Sequence, residues 1–229
     1  MDQQPPTIPV APDMSQVPPA VEPPAGFAPT QPQPKKSREG LKSVFMTLAI
    51  LIIAPLVALT LTAFIFQSYE VDGPSMQTTL QNQDRLIVLK LPRTMARITG
   101  HAYVPHRGDI VIFNKNDLTE LGGSSENKQL IKRVVGLPGE RVVVKNGTLT
   151  VYNKDNPNGF QPDKTLPYGN VIVTTPGDLD VTVPPNQVFV CGDNRTNSLD
   201  SRYFGPIPLK DIVGKLVLRI YPFDKAKSF

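Results

Sequence analysis

The sequence has few of the residues that build metal centres or covalent cross-links. It contains one cysteine, Cys191, two histidines, His101 and His106, and no tryptophan. A single cysteine excludes an intramolecular disulfide, and a four-ligand zinc site would need carboxylates beside these three side chains. We therefore predict no metal site and no cofactor.

A strong charge imbalance is also lacking. The chain has 24 Lys and Arg against 20 Asp and Glu over 229 residues, a formal net charge of +4. An excess this small is weak evidence for a polyanionic partner. We expect no nucleic acid to bind.

The N-terminal 34 residues contain no Lys or Arg, three acidic residues and 11 of the 25 prolines. Such a segment buries too little apolar surface to offset its conformational entropy. We expect residues 1–42, which include a basic flank, to be a disordered cytoplasmic tail, and we assign no activity to them.

A single long apolar segment follows the tail. No charged residue occurs from Ser43 to Tyr69, and the 23 residues from Val44 to Phe66 would form a helix of roughly 35 Å, against about 30 Å of hydrocarbon. Four basic residues, at positions 35, 36, 38 and 42, precede it, whereas Arg85 is the first basic residue after it. The positive-inside rule predicts a single transmembrane helix over residues 43–69, with the N-terminus in the cytoplasm and residues 70–229 outside.

The exported part has the pattern of β structure almost throughout. Short apolar or alternating runs are separated by Gly, Pro and Asn, and Asn146-Gly147 between two runs is a strong hairpin signal. We predict an all-β domain of antiparallel sheets, barrel-like or as two packed sheets, with no long helix. The predicted strands are Arg85–Leu89, Asp109–Phe113, Leu130–Val135, Arg141–Val144, Thr148–Tyr152, Asn170–Thr174, Asp180–Val183, Gln187–Cys191 and Lys215–Tyr221.

The scarcity of histidine disfavours a Ser/His/Asp triad in this domain. A serine can instead be activated by a neutral lysine amine, if burial lowers the pKa of that amine from about 10.4 towards 7 or 8. Of the 11 lysines after residue 66, Lys90, Lys132 and Lys215 lie within apolar runs. The residues alone leave these three candidates open, because a lysine whose stem packs while its head reaches water has the same pattern.

Four stretches, in this order, resemble bacterial type I signal peptidases, which are membrane-anchored Ser/Lys proteases. The first directly follows the apolar segment, and the third, which begins at Lys132, is highly specific. The stretches are Val71–Met76 with Leu80, Arg107–Phe113, Lys132–Glu140, and Gly192–Arg195 continued by Asn197, Ser198, Asp200–Arg202 and Gly205.

The resemblance implies a role for individual residues of these stretches. It implies Ser75 as the nucleophile, Lys132 as the general base, and Ser198 as a hydrogen-bond partner that orients the lysine. The Ser75 backbone N–H would contribute to the oxyanion hole. Two supporting pairs are implied as well, Asp193 with Arg133 and Asp200 with Arg202.

A bacterial membrane protease that removes signal peptides is thus expected. Its partners would be exported preproteins, cut after a small-x-small motif, and the lipid bilayer. Two positions depart from the family. Gly73 stands where some members have a Ser or Thr hydroxyl for the oxyanion hole, and Thr78 stands where the family usually has proline. The second oxyanion donor and the substrate-pocket residues stay unassigned. Apolar side chains of Leu86–Leu91 and near Ile131–Val134 are candidates for the pockets, and Leu86–Leu91 is equally compatible with insertion into the membrane interface.

Two other hypotheses fit parts of the sequence. A sortase-like transpeptidase would use Cys191 with His106 and Arg202, although a buried structural role suits Cys191 better, since it follows an apolar run. An inactive relative, an anchored β-domain that only binds partners, would be compatible with Gly73 and Thr78.

Overall fold

The computed structural model describes residues 38–116, 128–166, 171 and 174–229. The chain divides into two compact units, Met1–Leu48 and Ala49–Phe229. Most of the predicted tail and most of the predicted strand Asn170–Thr174 lie outside the described residues.

Helix α1 runs over Arg38–Thr60, beginning in the first unit and ending in the second, and a π-helical turn follows it at Leu61–Ile65. Its residues from Lys42 to Thr60 are almost all exposed, and the hydroxyls of Thr47 and Thr60 donate to carbonyls four residues earlier. Side-chain hydroxyls bonded in this way suit an apolar environment. Within the described part, Lys42–Ile65 is the one helical segment long and apolar enough to cross a membrane.

The predicted span of residues 43–69 is longer than this helix. Phe66–Glu70 form strand β1, which pairs antiparallel with β2, Arg85–Leu89. The sequence does not show where the helix ends and β1 begins, because Phe66, Gln67, Ser68 and Tyr69 carry no charge that would separate them from the helix.

The second unit is built mainly from antiparallel strands. The remaining strands in chain order are β3 Ile110–Lys115, β4 Lys128–Gly136, β5 Arg141–Lys145, β6 Thr148–Tyr152, β7 Leu179–Thr182, β8 Gln187–Cys191, β9 Ile207–Pro208, β10 Ile212–Tyr221 and β11 Lys227–Ser228. Eight of the described strands form one sheet in the order β1-β2-β10-β3-β4-β8-β9, with β11 paired to β10, and β6-β5-β7 form a second.

The predicted hairpin at Asn146-Gly147 is confirmed. It joins β5 and β6, and both turn residues have positive φ, 49° and 74°. The described strand predictions also hold to within a few residues at their ends.

The β-domain contains helices that were not predicted, although none of the described ones is long. Helix α2 covers Leu91–Thr99, and two short helices, α3 Pro162–Thr165 and α4 Ser201–Phe204, follow. Proline in the first turn of α2 and Gly100, at φ 73°, after its end are ordinary helix boundary signals. These boundary signals are hard to recognise in the sequence, because the apolar run before Leu91 continues directly into the helix.

Strand β4 is the element that positions the site. It pairs with β3 on one side, where Lys132 is opposite Val111, and with β8 on the other side from Arg133 onwards. Both Lys132 and Arg133 are therefore held in the large sheet, next to a core that includes Val111, Val134 and Val190.

Candidate active site

Ser75 lies on the loop that joins β1 to β2. Met76 and Leu80 anchor this loop, since both side chains are completely buried against Val71 and Leu86. The Gln77 N–H donates to the Pro74 carbonyl, 3.1 Å away, and closes a tight turn around Ser75. The Ser75 side chain remains partly exposed at this turn.

The Lys132 amine is in direct contact with the Ser75 hydroxyl. Lys132 Nζ lies 2.7 Å from Ser75 Oγ and 2.9 Å from the Ile131 carbonyl oxygen, and the lysine is only 3% exposed. The other two candidate lysines are engaged elsewhere. Lys90 Nζ donates to the Thr62 and Ala63 carbonyls, and Lys215 Nζ lies 2.7 Å from Asp109 Oδ1.

Burial changes the acidity of the Lys132 amine. Loss of solvation lowers its pKa from 10.5 to about 8, and this effect exceeds the opposing attraction of the carboxylates of Asp200 and Asp193. An amine with this pKa is partly neutral near neutral pH. It can therefore accept a proton from the hydroxyl beside it.

Arg133 points to the opposite side of β4 and pairs with Asp193. Its guanidinium makes two hydrogen bonds to the carboxylate, of 2.8 and 2.6 Å, and a third to the Gly108 carbonyl. Thr79 Oγ1 also donates to Asp193. The pair thus connects β4, the Ser75 loop and the segment after β8 through buried, charge-assisted bonds.

Asp200 and Arg202 form the second pair expected from the sequence. Arg202 Nε and Nη2 each donate to Asp200 across 2.8 Å, and both side chains are nearly inaccessible to solvent. Asp200 Oδ2 also accepts from the Gly192 N–H, 2.9 Å away. The pair fixes the path of the chain directly after β8.

Ser198 does not make the hydrogen bond expected of it. The hydrogen bonds of Lys132 go to Ser75 and Ile131, whereas Ser198 Oγ is buried and has no hydrogen-bond partner among the described residues. Ser198 Oγ is instead close to Gly192, where a Cβ atom would lie only 2.2 Å from it.

Asn194 contacts the Ser75 loop, a role that was not predicted for it. Its backbone N–H donates to the Ser75 carbonyl at 3.0 Å, and its side-chain amide donates to the Pro74 carbonyl at 3.2 Å. The segment after β8 therefore holds the backbone of Pro74 and Ser75 from one side. Asn194 lies within the fourth similar stretch, which was the only available signal.

Arg195, for which no role was predicted, connects the segment after β8 to α3. It is 1% exposed, donates to the Gly192 carbonyl and to Thr175, and makes a double hydrogen bond with Asp163. Nothing in the local sequence of Asp163 indicates this pairing, because 32 residues separate it from Arg195.

A cavity of about 140 Å³ opens beside Ser75 and Lys132. Its walls come from the end of β1 with the residues after it, and from the first half of β4. Of the candidate apolar pocket residues, Leu86 and Ile131 line it, next to Ser75 and Lys132. The other lining residues are Tyr69, Glu70, Val71, Asp72, Ile112, Gln129 and Leu130.

The arrangement required by the sortase-like hypothesis is absent from the described residues. Cys191 is fully buried in a cluster with Val135 and Phe189, and burial raises the pKa of its thiol. His106 is largely exposed and lies 3.8 Å from Asp109, and Arg202 is bound to Asp200. An inaccessible thiol of raised pKa is not a nucleophile.

Gly192 is the position where a small change should disturb Ser75 most directly. A methyl group there would lie 2.4 Å from the Ser75 carbonyl oxygen, as well as against Ser198. We expect Gly192→Ala to displace the serine and lower kcat/KM for peptide cleavage at least roughly 100-fold, the typical cost of misplacing a reacting group by about 1 Å.

The measurement is kcat/KM on a peptide substrate, with circular dichroism to check that Gly192→Ala folds. Gly40→Ala serves as the matched control, since a Cβ atom on Gly40 would meet nothing within 4 Å. Full activity in Gly192→Ala would contradict the close approach described here.

A serine hydroxyl beside a buried lysine amine, on a frame of antiparallel sheet, is the arrangement that a serine peptidase without a catalytic histidine would need. Comparison with known proteins identifies a peptidase family. The profile of the family described as signal peptidase, peptidase S26, matches residues 44–221. The chain belongs to this family.

Similar proteins include signal peptidases I from two bacteria. One, from Leptolyngbya laminosa, is 32% identical over 207 residues, which cover 89% of each chain. Another, from Bacillus caldolyticus, is 37% identical over 184 residues, which cover 76% of this chain and 89% of the relative. The crystal structure of a signal peptidase I from Enterococcus faecalis V583 matches 49% of this chain and 97% of its own, with 28% identity and a TM-score of 0.35.

Proposed function

We propose that the chain removes signal peptides from exported preproteins, with Ser75 as the nucleophile and Lys132 as the general base. The observation that carries this proposal is the 2.7 Å contact between Lys132 Nζ and Ser75 Oγ at a buried site. The relatives named signal peptidase I, which match most of the chain, support the same substrate class.

In the first step, neutral Lys132 takes the hydroxyl proton of Ser75 as Ser75 Oγ attacks the scissile carbonyl carbon. The resulting ammonium then gives this proton to the departing amine as the peptide bond breaks, which leaves an acyl-enzyme on Ser75. A water molecule, deprotonated by Lys132, attacks the ester and releases the second product. Arg133 could not act as the general base, because a guanidinium stays protonated.

The Ser75 backbone N–H is proposed as an oxyanion donor. Gly73, the position that carries a hydroxyl in some family members, has no side chain and a φ of 103°, which L-residues rarely adopt. A second donor would therefore come from another group or from water.

Ser198 is proposed to assist by orienting Lys132 during the reaction, with the Asp193–Arg133 and Asp200–Arg202 pairs as structural supports. Ser198 Oγ is free to donate, since it has no partner among the described residues. The two ion pairs hold the segment that carries it, on either side of Ser198 in the sequence.

The substrate is proposed to bind as an added strand beside Ser75. Among the described strands, β1 pairs only with β2 and is an edge of the large sheet. The first half of β4 also has a side without a described partner strand, because its pairing with β8 begins only at Arg133. Both free edges border the cavity at Ser75, and an extended peptide between them could bond to each. So small a cavity suits the small residues of a small-x-small cleavage motif.

The membrane arrangement is proposed to follow the charge pattern. Lys42–Ile65 would cross the bacterial cell membrane once, with the N-terminal tail in the cytoplasm and the β-domain outside, where signal peptides emerge from the bilayer. A cleft close to the end of the span would then meet the cleavage site at the membrane surface.

The test of the function is cleavage of a purified preprotein by the full chain in detergent. We expect one cut, after a small-x-small motif, identified by mass spectrometry of both products. An intact chain that binds the preprotein and leaves it uncut would support the inactive-relative hypothesis instead.

The pH profile of this cleavage tests the role of Lys132. The base must be neutral, so kcat/KM should rise tenfold per pH unit at low pH and level off above about pH 8, the pKa to which burial lowers this amine. A rate that keeps rising to about pH 10, the ordinary range of a lysine, would contradict a buried base.

A further inference from the structure

Helix α2 has two faces of different chemistry, both solvent-accessible. Leu91, Met95 and Ile98, spaced as neighbours on one side of a helix, are 39%, 47% and 74% exposed. Arg93 and Arg97 lie on the other side, and no acidic residue occurs in Leu91–Thr99. An exposed apolar stripe beside arginines is typical of helices that lie in a membrane interface.

The basic face of α2 borders a cavity of about 500 Å³. Lys90, Arg93 and Arg97 line it together with Ala63, Phe64 and Ile98, and its lining includes no carboxylate. A second cavity of about 360 Å³ lies on the other side of the same two arginines and is also lined by Lys210. Positive charge is therefore concentrated here, although the chain as a whole is nearly balanced.

The charges of this cavity are poorly compensated within the described part of the protein. None of Lys90, Arg93 and Arg97 forms an ion pair there, and Arg93 Nε is buried without a hydrogen-bond partner. Burial, and then the like charge of Arg97, lowers the pKa of the Arg93 guanidinium, only partly offset by Asp211. An anion in the cavity would accept a hydrogen bond from Arg93 Nε and would stabilise the charged form of the Arg93 guanidinium.

The cavity is located at one end of the candidate membrane span. Ala63 and Phe64 belong to the last turn of Lys42–Ile65. The start of α2 is bonded to this turn, since Lys90 Nζ donates to the Thr62 and Ala63 carbonyls and Thr94 Oγ1 to the Phe64 carbonyl. If the span crosses the bilayer, as proposed above, the cavity lies at the depth of the lipid headgroups.

We propose that this cavity binds the headgroup of an anionic phospholipid, with Arg93 and Arg97 on the phosphate and the Leu91, Met95 and Ile98 stripe against the acyl chains. The headgroup and the cavity have opposite charge, and both are expected at the same depth in the membrane. Neither guanidinium group forms an ion pair within the described residues, and apart from the bond from Arg93 to the Lys210 carbonyl their donors are available for phosphate oxygens. The apolar stripe belongs to a helix whose start is bonded to the last turn of the span. The site is separate from the cavity at Ser75, which shares only Gln129 with its lining.

The experiment uses the full chain, purified in detergent and stripped of lipid, and counts bound lipids by native mass spectrometry during titration with phosphatidylglycerol or phosphatidylcholine. We expect phosphatidylglycerol to bind and phosphatidylcholine to bind at least tenfold more weakly. In Arg93→Gln with Arg97→Gln, phosphatidylglycerol affinity should fall about 30-fold, the factor for two charges at about 1 kcal/mol each.

The matched control is Lys145→Gln with Lys154→Gln, which removes the same charge from exposed positions on the small sheet and the loop after it. We expect it to leave lipid binding unchanged. Equal binding of both lipids, an equal loss in the control, or no loss in the arginine variant would overturn the proposal. So would inorganic phosphate that binds on its own and displaces phosphatidylglycerol at millimolar concentration, because the site would then be one for free phosphate.

This readout does not depend on catalysis, so failure of the lipid site and failure of the proposed peptidase function are distinguishable. Hydrogen exchange of residues 91–99 in bilayer nanodiscs adds a second measurement. Protection of these amides should be greater with phosphatidylglycerol than with phosphatidylcholine, and equal protection would contradict the proposal.

Discussion

Ser75→Ala should reduce preprotein cleavage by a factor on the order of 10⁴ to 10⁶, the range seen when a nucleophile is removed from an enzyme that forms an acyl intermediate. In the proposed mechanism Ser75 Oγ, which lies 2.7 Å from the Lys132 amine, is the oxygen that forms the covalent bond. Without it, neither the attack nor the ester can form. The measurement is a single-turnover cleavage rate at saturating enzyme, so that weak substrate binding does not hide the chemical step.

Ser228→Ala is the matched control, since Ser228 is an exposed serine on β11 and does not line the cavity at Ser75. It should cleave at the rate of the unaltered chain. Cys191→Ala should also retain cleavage. Loss of activity in Cys191→Ala together with normal activity in Ser75→Ala would instead indicate a cysteine nucleophile, as in the sortase-like hypothesis.

Lys132→Met should lower the rate by a factor of roughly 10² to 10⁴, the contribution of a positioned general base. Methionine nearly preserves the length and the apolar stem of lysine but cannot accept a proton. Because only the base is lost, substrate binding should remain, and KM should change far less than kcat. Lys145→Met, at an exposed position of β5 in the small sheet, should leave both parameters unchanged.

The same variant should be more stable than the unaltered chain at neutral pH. Burial lowers the Lys132 pKa from 10.5 to about 8, so the folded protein binds fewer protons than the unfolded chain between these values. Stability is therefore lost as the pH falls through this window, and about 3 kcal/mol is lost once the pH is below 8. Guanidinium unfolding followed by circular dichroism should show a gain in Lys132→Met at pH 7 that disappears near pH 11. A variant that is both inactive and less stable at pH 7 would indicate a structural role instead.

The sequence located the site through stretches of similarity more than through general chemistry. Charge, burial and apolar context left Lys90, Lys132 and Lys215 equivalent. The structure separates them by partners that lie far away in the chain, carbonyls of the π-helical turn for Lys90 and Asp109 for Lys215. A lysine's protonation depends on such tertiary contacts, so no local pattern could have ranked the three.

Dependence on tertiary contacts also explains why the sequence analysis missed some residues of the site. Asn194 holds the Ser75 backbone and Arg195 binds Asp163, but both contacts depend on how the segment after β8 folds back towards other loops. Strands and the hairpin were predictable because their signals, alternation and Asn-Gly, are local. The boundaries of α1 and α2 were not, since each helix adjoins a strand within one continuous apolar run.

The lowered pKa of Lys132 also implies that its amine is protonated in most copies of the protein near pH 7. With a pKa of about 8, about one molecule in ten carries a neutral amine at pH 7. Under the proposed mechanism only this fraction can begin cleavage at a given instant, and an external medium one pH unit more alkaline would enlarge it about fivefold with no conformational change.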